Sequence, residues 1–383
     1  MAQCRPWSYF FGTIGCMFML MSGATAGSSS NSPDSAQIDA IFRAAVGPGN
    51  VPGAAVLVIR NGEPVFTRGY GVAELRSLKK IDSHTNFRLA SVTKQFTAMS
   101  IMLLVHDGRL HYDDTLTGIF SDFPAYGKAI TIRHLLNHTS GLLDYEDLMP
   151  AADPNLPVEQ VQISDAGVLD LLKHQTHTKF APGSKWDYSN SGYVILGLIV
   201  QKISGKPFPD FLRERIFAPL EMNATVAYVR GRNTIPDRAF GHSKKNGQWE
   251  QTDQSPTSAT LGDGGIYTSL DDMARWDRAL RRYTLLNEPE MQAAVTPVKV
   301  PEGGPVEPDG RPAAYGFGWF LNPYRGHQRM WHYGETIGFR TAIQRVPSDE
   351  LTIVVLCNRA DLNPTALALK VVDLFLGATP KGR

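Results

Sequence analysis

The pattern of hydrophobic and polar positions near the start of the chain predicts a helix followed by a β-hairpin. Apolar residues recur at helical spacing over 35–46. Two apolar runs, 54–59 and 65–70, are typical of strands. Between them stands Asn61-Gly62, a dipeptide that favours a tight hairpin turn.

Strand patterns return only near the other end of the chain. Residues 339–346 and 351–356 predict a second hairpin, and 363–376 predicts a closing amphipathic helix. Strands at both ends with helices between them indicate an α+β fold. We expect one antiparallel sheet built from the N- and C-terminal segments and flanked by helices, with a mostly helical region inserted.

The region between the two hairpins carries mainly helix and loop signals from about 109 to 262. We therefore assign 36–110 and 263–383 to a sheet domain and 111–262 to an inserted helical domain. The active site is expected between the two domains.

The first 26 residues have the pattern of a secretory signal peptide. Arg5 precedes an uncharged, mostly apolar run over 7–21, and small residues at 24–26 suit a cleavage site. Residues 27–35 are rich in serine and predict a flexible lead-in. We expect export to the periplasm or medium of a bacterium; an uncleaved membrane anchor is the competing interpretation.

The composition limits which partners are expected and whether the mature chain can form a disulfide. The 383 residues hold 38 Lys and Arg against 37 Asp and Glu, a net charge of +1, which disfavours nucleic acid as a partner. Cys4 and Cys16 lie in the signal, so Cys357 is the one cysteine expected in the mature chain, where no internal disulfide can form. We expect Cys357 to be a small buried hydrophobic residue.

Ser91 and Lys94 stand where a polar loop turns into an apolar helix. Residues three apart lie on the same helix face, so both side chains can point into one cleft. A serine hydroxyl needs a base within reach, and a desolvated lysine is such a base. The alternative is a helix-capping serine beside a solvated lysine.

Two later stretches can contribute to the same site. Tyr188 and Asn190 lie in a polar loop before an apolar helix; Tyr188 can accept a proton if a nearby ammonium lowers its pKa, and Asn190 can orient a carbonyl or a lysine. The alternative is that Asn190 or Ser191 caps that helix. Further on, His332 can exchange a proton near neutral pH, or be a purely structural histidine.

Gly334 follows at a predicted strand edge, where a glycine permits close approach of a substrate backbone. A metal site is disfavoured, because His134 and His138 lack the glutamate of a zinc-protease helix. We interpret His138 as helix-end structure.

These stretches, in this order, resemble the serine β-lactamase and penicillin-binding-protein superfamily, and more narrowly the class C β-lactamase-related serine hydrolases. Ser91 and Lys94 match its S-x-x-K element, and Tyr188 and Asn190 match Y-x-N. Residues 332–334 match the third element, Lys or His-x-Gly. Residues 131–142 and 262–269 are each similar to a further signature of the family.

The resemblance implies a β-lactamase/transpeptidase-like fold and a role for each matched residue. Ser91 would be the acylated nucleophile, and Lys94 and Tyr188 would share its proton. The backbone N–H groups of Ser91 and Glu335 would form the oxyanion hole, and Asn190 would hold the substrate amide. His332, Gly334 and Glu335 are the further substrate-binding residues. The family uses no metal or organic cofactor.

One departure from the family pattern bears on the substrate. True class C β-lactamases carry Lys-Thr-Gly at the third element, whereas this chain has His332, Tyr333 and Gly334. The fixed positive charge near a substrate carboxylate is therefore missing, unless Arg340 supplies it. This argues against efficient penicillin hydrolysis and favours esters, amides or D-amino-acid peptides.

The sequence thus predicts an exported serine hydrolase that forms an acyl-enzyme on an amide or ester. A true β-lactamase and a D,D-carboxypeptidase are the enzymatic alternatives. A non-catalytic protein that binds or senses cell-wall peptides is the alternative from another class. The expected partner is a small-molecule or peptide substrate, peptidoglycan-derived or β-lactam, with no nucleic acid and no stable membrane association once the signal is cleaved.

Overall fold

A computed structural model describes residues 35–307 and 309–376. The predicted signal peptide and the lead-in up to residue 34 therefore lie outside the described residues. The α-helices, numbered in chain order, are α1 Ser35–Val46, α2 Lys94–His106, α3 Leu116–Ile119, α4 Ile132–Leu136, α5 Tyr145–Leu148, α6 Asp165–Lys173, α7 Asn190–Ser204, α8 Phe208–Leu212, α9 Leu270–Arg282, α10 Glu288–Val295 and α11 Pro364–Leu376.

The strands form three antiparallel groups. They are β1 Ala54–Arg60, β2 Glu63–Tyr70, β3 Phe87–Arg88, β4 Val226–Ala227, β5 His242–Lys245, β6 Gln248–Gln251, β7 Ile266–Thr268, β8 Phe320–Leu321, β9 Met330–Thr336, β10 Phe339–Val346 and β11 Leu351–Cys357. The main sheet has six strands in the order β2-β1-β11-β10-β9-β8, and the smaller ones are β3-β7-β4 and β5-β6.

A strand from the N-terminal segment and one from the C-terminal segment pair in the centre of the main sheet. Strand β1 pairs with β11 antiparallel over its whole length, from Ala54 opposite Cys357 to Arg60 opposite Leu351. This is the antiparallel sheet predicted from the two terminal segments. The hairpin turn falls at Asn61 and Gly62, whose φ values of 54° and 84° are the left-handed conformations that a two-residue turn of this kind needs.

Both faces of this sheet are covered, which explains why its central strands are nearly all apolar. Val56 and Val58 point to one face and pack with α1 and α11 residues such as Phe42 and Val371. Their neighbours Ala55 and Leu57 point to the other face, toward the core that includes α2. Cys357 is fully buried and unpaired, as predicted.

Residues 109–262 form mainly helices and loops, as their sequence pattern predicts. This region also contains β4 and the β5–β6 hairpin, which that prediction overlooks. The predicted division into a sheet domain and an inserted domain at 111–262 stays a prediction. Among the described residues, no helix has the length and apolar character required to cross a membrane.

Candidate active site

Ser91 lies in a 3-10 turn, Ala90–Thr93, that leads directly into α2. The residue before it, Ala90, has a φ of 47°, a left-handed conformation that costs an L-residue about 1–2 kcal/mol. Strain of this kind is found at functional sites, where the surrounding structure over-determines the backbone. The turn leaves Ser91 partly exposed at the start of the buried helix.

Lys94 is the first residue of α2 and is completely buried. Its Nζ donates to Ser91 Oγ at 3.0 Å, to Asn190 Oδ1 at 2.9 Å and to the backbone oxygen of Asp263 at 3.0 Å. Burial lowers the pKa of Lys94 from 10.5 to about 8, against the opposing effect of nearby carboxylates. The lysine therefore loses its proton much more easily than a solvated one.

Tyr188 lies in the loop before α7, and its side chain lies close enough to that of Ser91 to influence its own pKa. Lys94 Nζ lies 4.9 Å from the centre of its ring. Tyr188 was expected to accept a proton if a nearby ammonium lowered its pKa. In the structure, burial raises the pKa of Tyr188, so this condition is not met. Tyr188 is thus a phenol that can donate a proton.

Asn190 is the first residue of α7, but it does not cap the helix. Ser189 does so, with its Oγ accepting from the backbone N–H of Gly192 at 3.1 Å. The Asn190 amide instead bridges Lys94 and Glu146. Its Oδ1 accepts from Lys94, and its Nδ2 donates to Glu146 Oε1 at 3.4 Å. The contact with Lys94 is the lysine-orienting use expected of Asn190, and its contact with a substrate carbonyl stays a prediction.

Strand β9 places the third predicted element beside the Ser91 turn, on the side of the sheet that Gly334 and Thr341 share. Thr341 Oγ1 donates to the backbone oxygen of Leu89 at 2.7 Å. A Cβ on Gly334 would lie 2.1 Å from that same oxygen and 3.1 Å from the Ser91 nitrogen. Gly334 therefore lets the chain's own backbone approach closely, while its predicted approach to a substrate backbone stays a prediction.

His332 does not exchange protons near neutral pH, contrary to the expectation from its type. The ring is fully buried, and burial together with the charge of Lys94 lowers its pKa to about 3. Its Nδ1 donates to the Tyr333 carbonyl at 2.7 Å, and its Nε2 accepts from the Tyr315 hydroxyl at 3.1 Å. The ring is neutral and has no nitrogen left for a substrate.

Glu335 and Arg340 face each other across the β9–β10 pair, one position beyond Gly334 and Thr341. Because side chains alternate along a strand, this pair lies on the opposite face from Ser91. Arg340 Nη2 is 2.7 Å from Glu335 Oε1, and Arg340 also donates to the Phe339 backbone oxygen at 2.9 Å. The Arg340 charge therefore does not replace the missing lysine of the third element.

Several neighbours of the site escaped the sequence analysis. The Asp263 carbonyl belongs to a stretch noted only as a family signature, and a backbone oxygen has no residue-type signal. Asp144 and Glu146 surround Lys94 electrostatically together with Asp263. No group of metal-ligating residues suited to an ion occurs in the ranges 35–307 and 309–376.

Replacing Gly334 with alanine should disrupt the contact between β9 and the Ser91 turn. The added methyl would lie 2.1 Å from Leu89 O and 2.4 Å from Thr341 Oγ1, so the strand must move. A displacement near 1 Å costs on the order of 10²-fold in rate. The measurement is the rate at which a fluorophosphonate labels Ser91, followed by intact mass.

The matched control is Gly304→Ala, where the new methyl meets nothing within 4 Å. It should label at the wild-type rate. Equal labelling of the Gly334→Ala and wild-type proteins would show that the site tolerates a side chain between β9 and Ser91.

Comparison with known proteins places this arrangement in one family. The Beta-lactamase family matches residues 38–377. Penicillin-binding protein 4* of Bacillus subtilis (strain 168) is 32% identical over 341 residues, which cover 85% of this chain and 72% of that protein. The D-aminopeptidase of Brucella canis is 30% identical over 344 residues, 86% of this chain. The chain spans only 60% of the length of that D-aminopeptidase.

Solved structures agree with the sequence relatives. The D-amino acid amidase from Ochrobactrum anthropi SV3, complexed with L-phenylalanine amide, superposes with a TM-score of 0.74 at 26% identity, covering 88% of this chain and 96% of that one. A penicillin binding protein from Bacillus halodurans gives 0.72 at 26% identity, covering 88% and 99%. These likenesses confirm the predicted α+β, β-lactamase/transpeptidase-like fold. The chain belongs to the Beta-lactamase family, and the prediction of a serine hydrolase related to the β-lactamases is confirmed at that level.

Proposed function

We propose that the protein hydrolyses amides or peptides of D-amino acids that carry a free α-amino group, through an acyl-enzyme on Ser91. The observation that carries the substrate class is the negative charge around the site. The names of the relatives, a D-aminopeptidase and a D-amino acid amidase, support the choice of an amide and of the D configuration.

Carboxylates lie on the side of the site formed by Asn190. A chain of contacts runs from Ser91 Oγ through Lys94 Nζ and the Asn190 amide to Glu146 Oε1, over distances of 3.0, 2.9 and 3.4 Å. Glu146 is exposed, and Asp144 is partly exposed beside it. A carboxylate three contacts away from the nucleophile suits a cationic group on the substrate.

The side of the site formed by β9 offers little to a substrate carboxylate. His332 is neutral there, and Arg340 is paired with Glu335 on the other face of the sheet. Penicillins and D,D-peptides both carry a carboxylate near the reacting bond. A β-lactamase or a D,D-carboxypeptidase is therefore less well supported than an enzyme for amino-terminal substrates.

The geometry supports a division of proton transfers between Lys94 and Tyr188. Neutral Lys94 takes the hydroxyl proton as Ser91 Oγ bonds to the substrate carbonyl carbon. The backbone N–H groups of Ser91 and Glu335 are the predicted donors to the oxyanion. As the C–N bond breaks, Tyr188 protonates the leaving amine and regains a proton from Lys94. Water then attacks the ester, which releases the acid and restores Ser91.

The test compares the rates of hydrolysis of four compounds by the full chain: D-alanine p-nitroanilide, its L enantiomer, N-acetyl-D-alanine p-nitroanilide and benzylpenicillin. We expect the free-amino D anilide to give the highest kcat/KM. Faster opening of penicillin, or a preference for the acetylated anilide, would overturn the substrate assignment while leaving the acyl-enzyme chemistry intact.

Glu146→Gln should raise KM for D-alanine p-nitroanilide by about 10- to 100-fold, the worth of a hydrogen bond to a charged group. The loss should be much smaller with the N-acetyl anilide, because that compound has no ammonium group. Asp147→Asn is the control, since it removes the same charge from the next exposed position of α5. Equal losses on the two anilides would mean that Glu146 does not bind the amine.

We further infer that the protein works outside the cytoplasm. The support is the sequence pattern of residues 1–26, with a basic start, an apolar run and a small-residue cleavage site. Intact mass of the protein recovered from the periplasm or medium would give the start of the mature chain, expected at Gly27.

A further inference from the structure

His138 holds the loop that carries Tyr188 from both sides of that tyrosine. Its backbone oxygen accepts from the N–H of Asp187 at 3.0 Å. Its Nδ1 accepts from the N–H of Ser189 at 3.1 Å. The backbone N–H groups of the residues before and after Tyr188 are thus both bonded to one residue.

The His138 ring also packs directly on the tyrosine it brackets. The two ring centres are 4.4 Å apart, with the planes tilted by 35°. Three further aromatic rings lie around His138, with centre distances of 4.7 Å for Tyr315, 5.0 Å for Tyr193 and 6.0 Å for Trp186. The ring is completely buried, so this position is fixed by packing as well as by hydrogen bonds.

The protonation of His138 follows from its contacts. Because Nδ1 accepts a hydrogen bond, the ring proton of the neutral form is on Nε2, which is buried without a hydrogen-bond partner. Burial and the nearby Lys94 and His332 hold the pKa of His138 well below its usual value. The ring therefore stays neutral and keeps its acceptor over the pH range in which the enzyme would work.

We propose that His138 is a positioning residue for Tyr188, holding the phenol beside Ser91, where it can reach the leaving group. The proposal deepens the proposed function and rests on it, since it requires Tyr188 to act in the proton transfers. The hydrogen bonds and ring contacts given above join His138 to the Tyr188 loop and to the surrounding aromatic rings. Its effect on the reaction passes through Tyr188.

The backbone of His138 decides which substitutions are informative. Its φ is 59°, in the left-handed region that asparagine tolerates better than most residues. Asparagine also carries an oxygen at the place of Nδ1, whereas leucine has the same shape without an acceptor. His138→Asn and His138→Leu therefore form a matched pair in which both lose the ring and only one loses the acceptor.

We expect His138→Leu to lower kcat for D-alanine p-nitroanilide by about 10- to 100-fold with little change in KM, as misplacement of a proton donor does. His138→Asn should recover most of that loss. Thermal midpoints, measured in parallel, give the stability effects separately. Equal kcat values for the two variants would mean that the acceptor does not position Tyr188.

A double-mutant cycle with Tyr188→Phe separates positioning from general stability. If His138 acts through Tyr188, His138→Leu in the Tyr188→Phe background costs no further activity. If its role is only structural, the two losses multiply, and the proposal is wrong.

The labelling of Ser91 by a fluorophosphonate distinguishes failure of the inference from failure of the proposed function. Wild-type protein that is labelled but leaves the anilide intact would refute the substrate class alone, and the same cycle is then decided on labelling rates. Absence of labelling would refute both the acyl-enzyme and the role of His138. A Tyr188→Phe variant as reactive as wild type would refute the role of His138 and leave the assignment of Ser91 as the nucleophile unaffected.

Discussion

Ser91→Ala lowers the rate of hydrolysis by a factor on the order of 10⁶, the loss expected when the nucleophile of an acyl-enzyme mechanism is removed. Among the residues that the structure describes, Lys94 Nζ donates to one hydroxyl, that of Ser91 at 3.0 Å, and its two other hydrogen bonds go to carbonyl oxygens of Asn190 and Asp263. We therefore expect no other hydroxyl to take the place of Ser91. The fold should be unaffected, since Lys94 keeps those two acceptors.

The measurement is turnover of D-alanine p-nitroanilide together with intact mass after incubation with a fluorophosphonate. Wild type should gain one adduct, and the Ser91→Ala protein none. Ser77→Ala serves as control, because Ser77 is exposed and its Oγ accepts a long hydrogen bond of 3.4 Å from the Lys79 N–H. If Ser91→Ala retained the biological activity of the wild type, the alternative of a non-catalytic binding or sensing protein would be supported instead.

Much of the sheet could be predicted because its strands are both apolar and joined by strong turn signals. Asn61-Gly62 marks the β1–β2 turn and has the expected positive φ values. The β5–β6 hairpin has the same dipeptide, Asn246-Gly247, also at positive φ, yet the hydrophobic pattern does not predict it. Its strands are mostly exposed and polar, so they lack the apolar alternation that makes a strand visible in a sequence.

In the candidate site, features that depend on neighbouring residues could be predicted from the sequence, and features that depend on long-range contacts could not. Ser91 and Lys94 could be paired from helix periodicity alone. The contact of Lys94 with the Asp263 carbonyl joins residues 169 positions apart through a backbone atom, and no residue type signals it. The neutrality of His332 depends on complete burial, which a histidine in a strand pattern does not reveal.

Catalysis should rise with pH up to about 8 and then level off, because Lys94 is active in its neutral form. Burial is the main cause of its lowered pKa, and the carboxylates of Asp263, Asp144 and Glu146 oppose that shift. With a pKa of about 8, the neutral fraction is about one tenth at pH 7 and about one hundredth at pH 6. The logarithm of kcat/KM should therefore climb with a slope of one below the inflection.

Lys94→Met should lower kcat/KM by about 10²- to 10⁴-fold, the usual contribution of a positioned general base, and should flatten this profile. Methionine matches the length of the lysine stem and fits a buried position, so the protein should still fold. Lys94→Arg provides the matched test of charge: it keeps a cation, which cannot give up its proton, and should be equally inactive.

The pH profile of the wild type decides whether Lys94 is the general base. An inflection near 10.4, the value of a solvated lysine, would mean that Lys94 is not desolvated in the working enzyme. An active Lys94→Arg variant would mean that the positive charge, rather than the base, is what Ser91 requires.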